Sequence, residues 1–180
     1  GLGNITFKVA DVTQYQMPDT YDLIVSVDNL EHVVDDRAVI GRFHASMNTG
    51  GILVVHVPHY YRRWPLFKWS PNFDVPGHVR PGYHLPEIVE RVRAAGFTIQ
   101  RSGFSYGFVE NLVNNLSYGI TGAREERKVL YALLFPLLNT LAWLGQWSRP
   151  GMGAGAWVVA TRGQTSTSPE EPDDAGEPLT

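Results

Sequence analysis

The sequence predicts an α/β domain with a doubly wound, largely parallel sheet. Two observations carry that reading. Short apolar runs rich in β-branched residues alternate with segments of helical period, and acids or histidines stand where several of those runs end. Sheets of this kind bind ligands at the carboxyl ends of their strands, so function is sought at Asp11, at Asp28 with Asn29, and at His59 with Tyr60. With 43% hydrophobic residues in a chain of 180, there is apolar material for one core.

The elements are read in order. Residues 5–10 alternate apolar and polar, the period of a half-buried strand ending at Asp11. Residues 21–27 form a nearly continuous apolar run, as expected of a strand buried on both faces. Val39, Ile40, Phe43 and Met47 recur at spacings of three and four, so a helix spans 35–47 and stops at Asn48-Thr49-Gly50-Gly51. Residues 52–57 are the next buried strand, closed by Pro58. A long aromatic and proline-rich loop occupies 59–86, a length that is usually functional or disordered. Pro86 opens a helix to Ala95, Gly96 ends it, and a strand follows over 97–102.

The segment 129–147 is almost wholly apolar and uncharged, and leaving it in water would cost on the order of 20 kcal/mol gross. Its first reading is a buried or lid helix within a helical insertion over 108–150. Pro136, Asn139 and Gly145 interrupt it, so contact with a membrane surface ranks second and a true span third. Residues 156–161 are a final strand, and 163–180 read as a disordered acidic tail.

Composition removes several classes of function. No cysteine is present, which excludes disulfide scaffolds, thiolate metal sites and cysteine nucleophiles. The net charge of −3 comes from the tail, whose five acids face no base. Without them a small positive excess remains and no Lys/Arg run, so no nucleic-acid partner is expected. Nothing at the start resembles a secretory signal, and a cytoplasmic location is expected, with membrane association through 129–147 as the alternative.

The order of Asp11, then Tyr-Asp-Leu-Ile-Val-Ser-Val-Asp-Asn-Leu-Glu-His-Val over 21–33, then Asn-Thr-Gly-Gly-Ile-Leu-Val-Val-His-Val-Pro over 48–58, resembles class I S-adenosylmethionine-dependent methyltransferases. The likeness extends through Gly-His-Val-Arg-Pro-Gly-Tyr at 77–83 and Arg-Ala-Ala-Gly-Phe at 93–97. It implies a Rossmann-like methyltransferase sheet read from the third strand onward, N-terminally truncated, with a helical insertion before the last strand. It implies S-adenosyl-L-methionine as cofactor, with Asp11 on the adenine amino group and the Val12 amide on the ring. Asp28, Asn29, Leu30 and His32 would line its methionine end, and Glu31 would sit at a helix start. The Gly-rich loop and the ribose-binding acid of that family cannot be placed, so residues 1–162 read as a partial domain, incomplete for cofactor binding.

On the acceptor side, histidine is the usual base near neutral pH, and His59 and His78 are the candidates for it. Tyr60, Arg80 and Tyr83 are the candidates for binding substrate, and the loop over 59–86 would fold over it. The acceptor is expected to be a small or lipid-like molecule methylated at oxygen. Two further patterns carry less. Gly103-Phe104-Ser105-Tyr106-Gly107 matches a hydrolase elbow, but that fold requires a histidine downstream of the serine and the last one here is His84. His56, His59, Asp74, His78 and His84 do not have zinc spacing, so no metal is expected. The rival class is a non-catalytic α/β binding or membrane-docking module.

Overall fold

The computed structural model describes residues 3–63, 67–72, 76–121, 128–145 and 150–163. The tail expected to be disordered lies outside them, apart from Gly163. Strands β1 (Tyr21–Val27), β2 (Met47–Pro58), β5 (Phe97–Ser105) and β6 (Gly155–Arg162) form one sheet in the order β1-β2-β6-β5. β1 and β2 are parallel, while β6 runs antiparallel to both β2 and β5. Three strands therefore share one direction and one opposes them. The reversal follows from the connection: Ser105 at the end of β5 pairs with Gly155 at the start of β6, so the chain returns from the end it left. A two-stranded ribbon, β3 (Tyr61–Arg63) with β4 (Trp69–Pro71), occupies the middle of the long loop.

Helices α1 (Asp36–Ala45) and α2 (Leu85–Ala94) pack on one face of the sheet. The alternation of β2 puts Leu53, Val55 and Val57 on that face, where they meet Val39, Ile40, Phe43, Ile88 and Val92 together with Ala156, Val158 and Ala160 of β6. His56 alternates onto the other face. The expectation that residues 21–27 are buried on both faces is corrected: Leu23, Val25 and Val27 are exposed, and β1 is an edge strand with β2 as its one neighbour among the described residues.

The strand expected over 5–10 is also corrected. These residues are irregular and exposed, Phe7 at 92%, because no strand among the described residues lies beside them to supply a ladder or cover an apolar face. Helix α1 begins where Asp35 caps the Ala38 amide (3.0 Å) and stops at Ala45, ahead of the Asn-Thr-Gly-Gly run expected to end it. The Tyr21 amide takes the Ser46 carbonyl (2.9 Å) and Met47 pairs with Tyr21, so sheet formation draws the chain away before the glycines.

Helices α3 (Phe108–Thr121) and α4 (Lys128–Gly145) pack on each other between β5 and β6. α4 is not the buried helix its composition suggests. Leu138 is buried, but Leu133 is 74% exposed and Leu137, Trp143 and Leu144 also face outward. No helix among the described residues is long and apolar enough to cross a membrane.

One ionic cluster ties the helical layer together. Asp36, 2% exposed, pairs with both Arg80 and Arg91, and the Tyr83 hydroxyl lies 2.6 Å from the same carboxylate. Arg80 also donates to the carbonyls of Val33 (3.1 Å) and Val34 (3.0 Å), and Arg91 pairs with Glu87 at 2.5 Å. Removing one partner of a buried pair leaves the others desolvated and unpaired. Asp36→Ala is expected to lower stability by about 3–5 kcal/mol, read as a fall in thermal midpoint; an unchanged midpoint would refute the role.

Candidate functional site

The carboxyl ends of three strands meet on the open face. β1 ends at Val27, and Asp28 turns the chain with φ of +45°, a left-handed conformation that Asp tolerates better than most residues. Its Oδ1 lies 2.9 Å from Nδ1 of His56, and its amide donates to the His56 carbonyl (3.0 Å). On the other side of the ring, Nε2 of His56 lies 2.7 Å from Oγ of Ser105, the last residue of β5. A carboxylate only accepts, so in the neutral ring the proton sits on Nδ1 and Nε2 takes the serine hydroxyl. This is a carboxylate, imidazole and hydroxyl in line, able to take up a proton at the serine end.

β6 runs between β2 and β5 and would block that contact but for Gly155. A Cβ there would lie 2.3 Å from Ser105 Oγ and 2.6 Å from His56 Nε2. Gly153 is equally constrained, since its Cβ would sit 2.0 Å from the Ser105 carbonyl oxygen. Gly153 and Gly155 are therefore required by close approach, whereas a Cβ at Gly151 would meet nothing within 4 Å.

Beside the line is a cavity of about 1200 Å³, lined among others by His56, Ser105, Tyr106, Glu110, Trp143 and Trp157. Tyr106, at φ +56°, sets its ring edge-on to His56 with centroids 5.7 Å apart. Trp157 is held by a hydrogen bond from its indole N–H to the Phe104 carbonyl (3.2 Å). Glu110 Oε2 is buried with no hydrogen-bond partner, which leaves a free acceptor in an aromatic cavity.

The residues singled out in the sequence fall in several places. Asp28 belongs to the line, and Asn29 and Leu30 follow it into a single 3-10 turn, Leu30–His32. Asp11 is exposed and closes its own turn, accepting from the Thr13 amide (2.8 Å) and hydroxyl (2.7 Å). Those bonds hold its carboxyl below the usual range. The Val12 carbonyl takes Arg42 Nη1 at 3.2 Å. Tyr60 is half-buried and stacks at 4.6 Å on His84, away from the cavity lining. Arg80 and Tyr83, expected to bind substrate, are instead committed to Asp36: Tyr83 is fully buried, and burial pushes its hydroxyl pKa up, keeping it neutral.

His59, 3% exposed, has Nδ1 on the Tyr61 carbonyl (3.0 Å) and a further hydrogen bond to the Gly153 backbone, so it pins the loop to the start of β6. His78 meets His32 edge to face, with ring centroids 4.4 Å apart. Neither lines the cavity, and the structure does not bring His59 and His78 together. Trp64 and Phe73 of the long aromatic loop lie outside the described residues. His56 and Ser105 were visible in the sequence, one as the only polar side chain in a buried strand and one in a Gly-x-Ser-x-Gly run. What joined them was β6, which the sequence places far from both.

Two expected outcomes test this geometry. Gly155→Ala should expel Ser105 from His56 and change the ring's ¹⁵N resonances; retention of the wild-type signature would disprove the steric role. Burial holds the His59 pKa below its usual 6.5, and it does the same for His44. A depressed histidine contributes stability that is present above the unfolded value and lost as pH falls through the folded one. Urea midpoints should therefore drop between about pH 7.5 and about pH 5, and drop less in His59→Gln.

Residues 4–102 match a family described as "Methyltransferase domain". Phosphoethanolamine N-methyltransferase 3 of Arabidopsis thaliana is 34% identical over 98 residues, covering 52% of this chain and 19% of that protein. Phosphoethanolamine N-methyltransferase 2 of Haemonchus contortus, solved in complex with S-adenosyl-L-methionine, superposes with a TM-score of 0.50 at 13% identity, covering 86% of this chain and 36% of the other. The [4+2]-cyclase SpnF superposes at 0.52 with 17% identity, covering 87% and 56%. The chain thus spans about a fifth of its plant relative. The two superpositions establish the Rossmann-like fold, and the cyclase illustrates that this fold does not dictate the reaction.

Proposed function

The chain belongs to the methyltransferase-domain family, and from that premise we propose that it forms the acceptor side of an S-adenosylmethionine-dependent methyltransferase acting on a small molecule. The observation that carries this reading is the Asp28–His56–Ser105 line opening onto the aromatic cavity. Bound S-adenosylmethionine supplies an electrophilic methyl group on a sulfonium. Of the residues present, those after β1 fit its methyl end, and exposed, ionised Asp11 suits its adenine amino group. Among the described residues no Gly-rich turn follows a strand and opens a helix, so the rest of the cofactor has no cradle here.

This chain's own residues act on the acceptor. Trp143, Trp157 and Tyr106 offer ring faces, while the free oxygen of Glu110 offers a negative partner. That combination favours a nitrogen acceptor, because an ammonium group gains from both. Methyl transfer needs the lone pair, so the proton must first leave. Ser105 Oγ accepts it and passes its own proton to His56 Nε2, and Asp28 steadies the imidazolium that forms. The oxygen acceptor expected from the sequence would lose its proton to the same Ser105–His56 line, and it would gain less than an ammonium group from the Glu110 oxygen. A second activity, serine hydrolysis, is favoured by the same two distances.

Incubating the full-length protein with labelled S-adenosylmethionine and matched panels of amines and alcohols should give methylated amine. His56→Gln should lower that rate by about 10²- to 10⁴-fold without altering retention of S-adenosylhomocysteine. Absence of any methylated product, with a fluorophosphonate probe labelling Ser105, would select hydrolysis instead.

A further inference from the structure

Glu31 is buried to 1% exposure in the 3-10 turn after β1, yet its Oε2 has no hydrogen-bond partner. Beside it, His32 places Nε2 at 4.0 Å from Glu31 Oε1 and Nδ1 at 2.9 Å from the Gly77 carbonyl. A carbonyl only accepts, so that contact fixes the neutral ring's proton on Nδ1 and leaves the lone pair on Nε2. A backbone carbonyl on the far ring nitrogen orients metal-binding histidines in the same way. His78 arrives from the segment ahead of α2, its ring nearly perpendicular to that of His32 and its Nδ1 buried without a partner. The Val79 amide donates to the Glu31 carbonyl (2.9 Å), which holds the two segments together. One donor atom from each of Glu31, His32 and His78 lies within 4.8 Å of the others.

Two buried atoms without hydrogen-bond partners, one on Glu31 and one on His78, thus stand in the same cluster as the oriented lone pair of His32. We propose that Glu31, His32 and His78 form a binding site for a divalent transition-metal ion of the zinc class. Two imidazoles and one carboxylate suit zinc, cobalt or nickel, whereas magnesium and calcium prefer oxygen donors. Ligand atoms stand about 2.0–2.2 Å from zinc, so the cluster closes by about 1 Å on binding. The exposed side of His32 leaves a fourth position toward solvent. The ion joins the turn after β1 to the segment before α2, next to Asp28 but through different atoms.

The test uses the full chain, stripped with a chelator and titrated with ZnCl₂ by calorimetry, with MgCl₂ in parallel. One equivalent of zinc is expected to bind and to raise the thermal midpoint, and magnesium to do neither. Glu31→Gln and His78→Gln should each weaken zinc by at least the about 10- to 100-fold that loss of an outer-shell partner costs. His44→Gln, a histidine elsewhere on the fold, should leave it unchanged. Zinc that fails to bind, or binds equally to all three variants, overturns the site, as does a preference for magnesium. Circular dichroism of each variant separates loss of the site from loss of the fold; if Glu31→Gln unfolds, His32→Gln takes its place.

Discussion

The arrangement of this domain depends on a single buried carboxylate. Asp36 stands at the first turn of α1, and two guanidinium groups and a phenol converge on it from the segment before α2 and from α2 itself. Through Arg80 the same cluster reaches the carbonyls of Val33 and Val34, where the chain leaves β1. One charge thus sets the distance between the turn after β1, helix α1 and helix α2. A buried ion pair of this kind is poor evidence of net stability, because desolvation opposes the attraction. Its value is geometric: it fixes the turn from which Asp28, Glu31 and His32 project.

That turn supplies two chemically different neighbourhoods from a few consecutive residues. Asp28 looks toward the open face, where His56 and Ser105 complete a proton-accepting line under an aromatic cavity. Glu31 and His32 look toward the segment of His78. The separation follows from local backbone: the left-handed residue at 28 breaks the strand, and the 3-10 turn that follows rotates the next side chains away. Among the described residues β1 has β2 as its one neighbour, and Leu23, Val25 and Val27 are exposed beside the first neighbourhood.

Several elements were legible because their signals are local. α2, with Pro86 near its start and Gly96 after its end, came out where its caps put it, and β2 and β6 were recognisable as short β-branched runs. Residues 5–10 and α4 misled for a shared reason. A period-2 pattern and an apolar run each state that a side chain would gain by burial, and neither states that a partner surface is there. Arg80 and Tyr83 misled differently: a polar pair in a functional-looking loop reads the same whether it meets a ligand or an aspartate in the next helix.

The sequence by itself determined the α/β class, the family and the strand ends at which polar residues gather, since these follow from periodicity, caps and ordered motifs along the chain. The tertiary structure alone decided which polar residues meet. His56 and Ser105 are joined across a third strand that returns from far down the chain, and their contact exists because residue 155 has no side chain. Such a meeting depends on strand order and register, which are set by packing over the whole sheet and leave no mark at either residue.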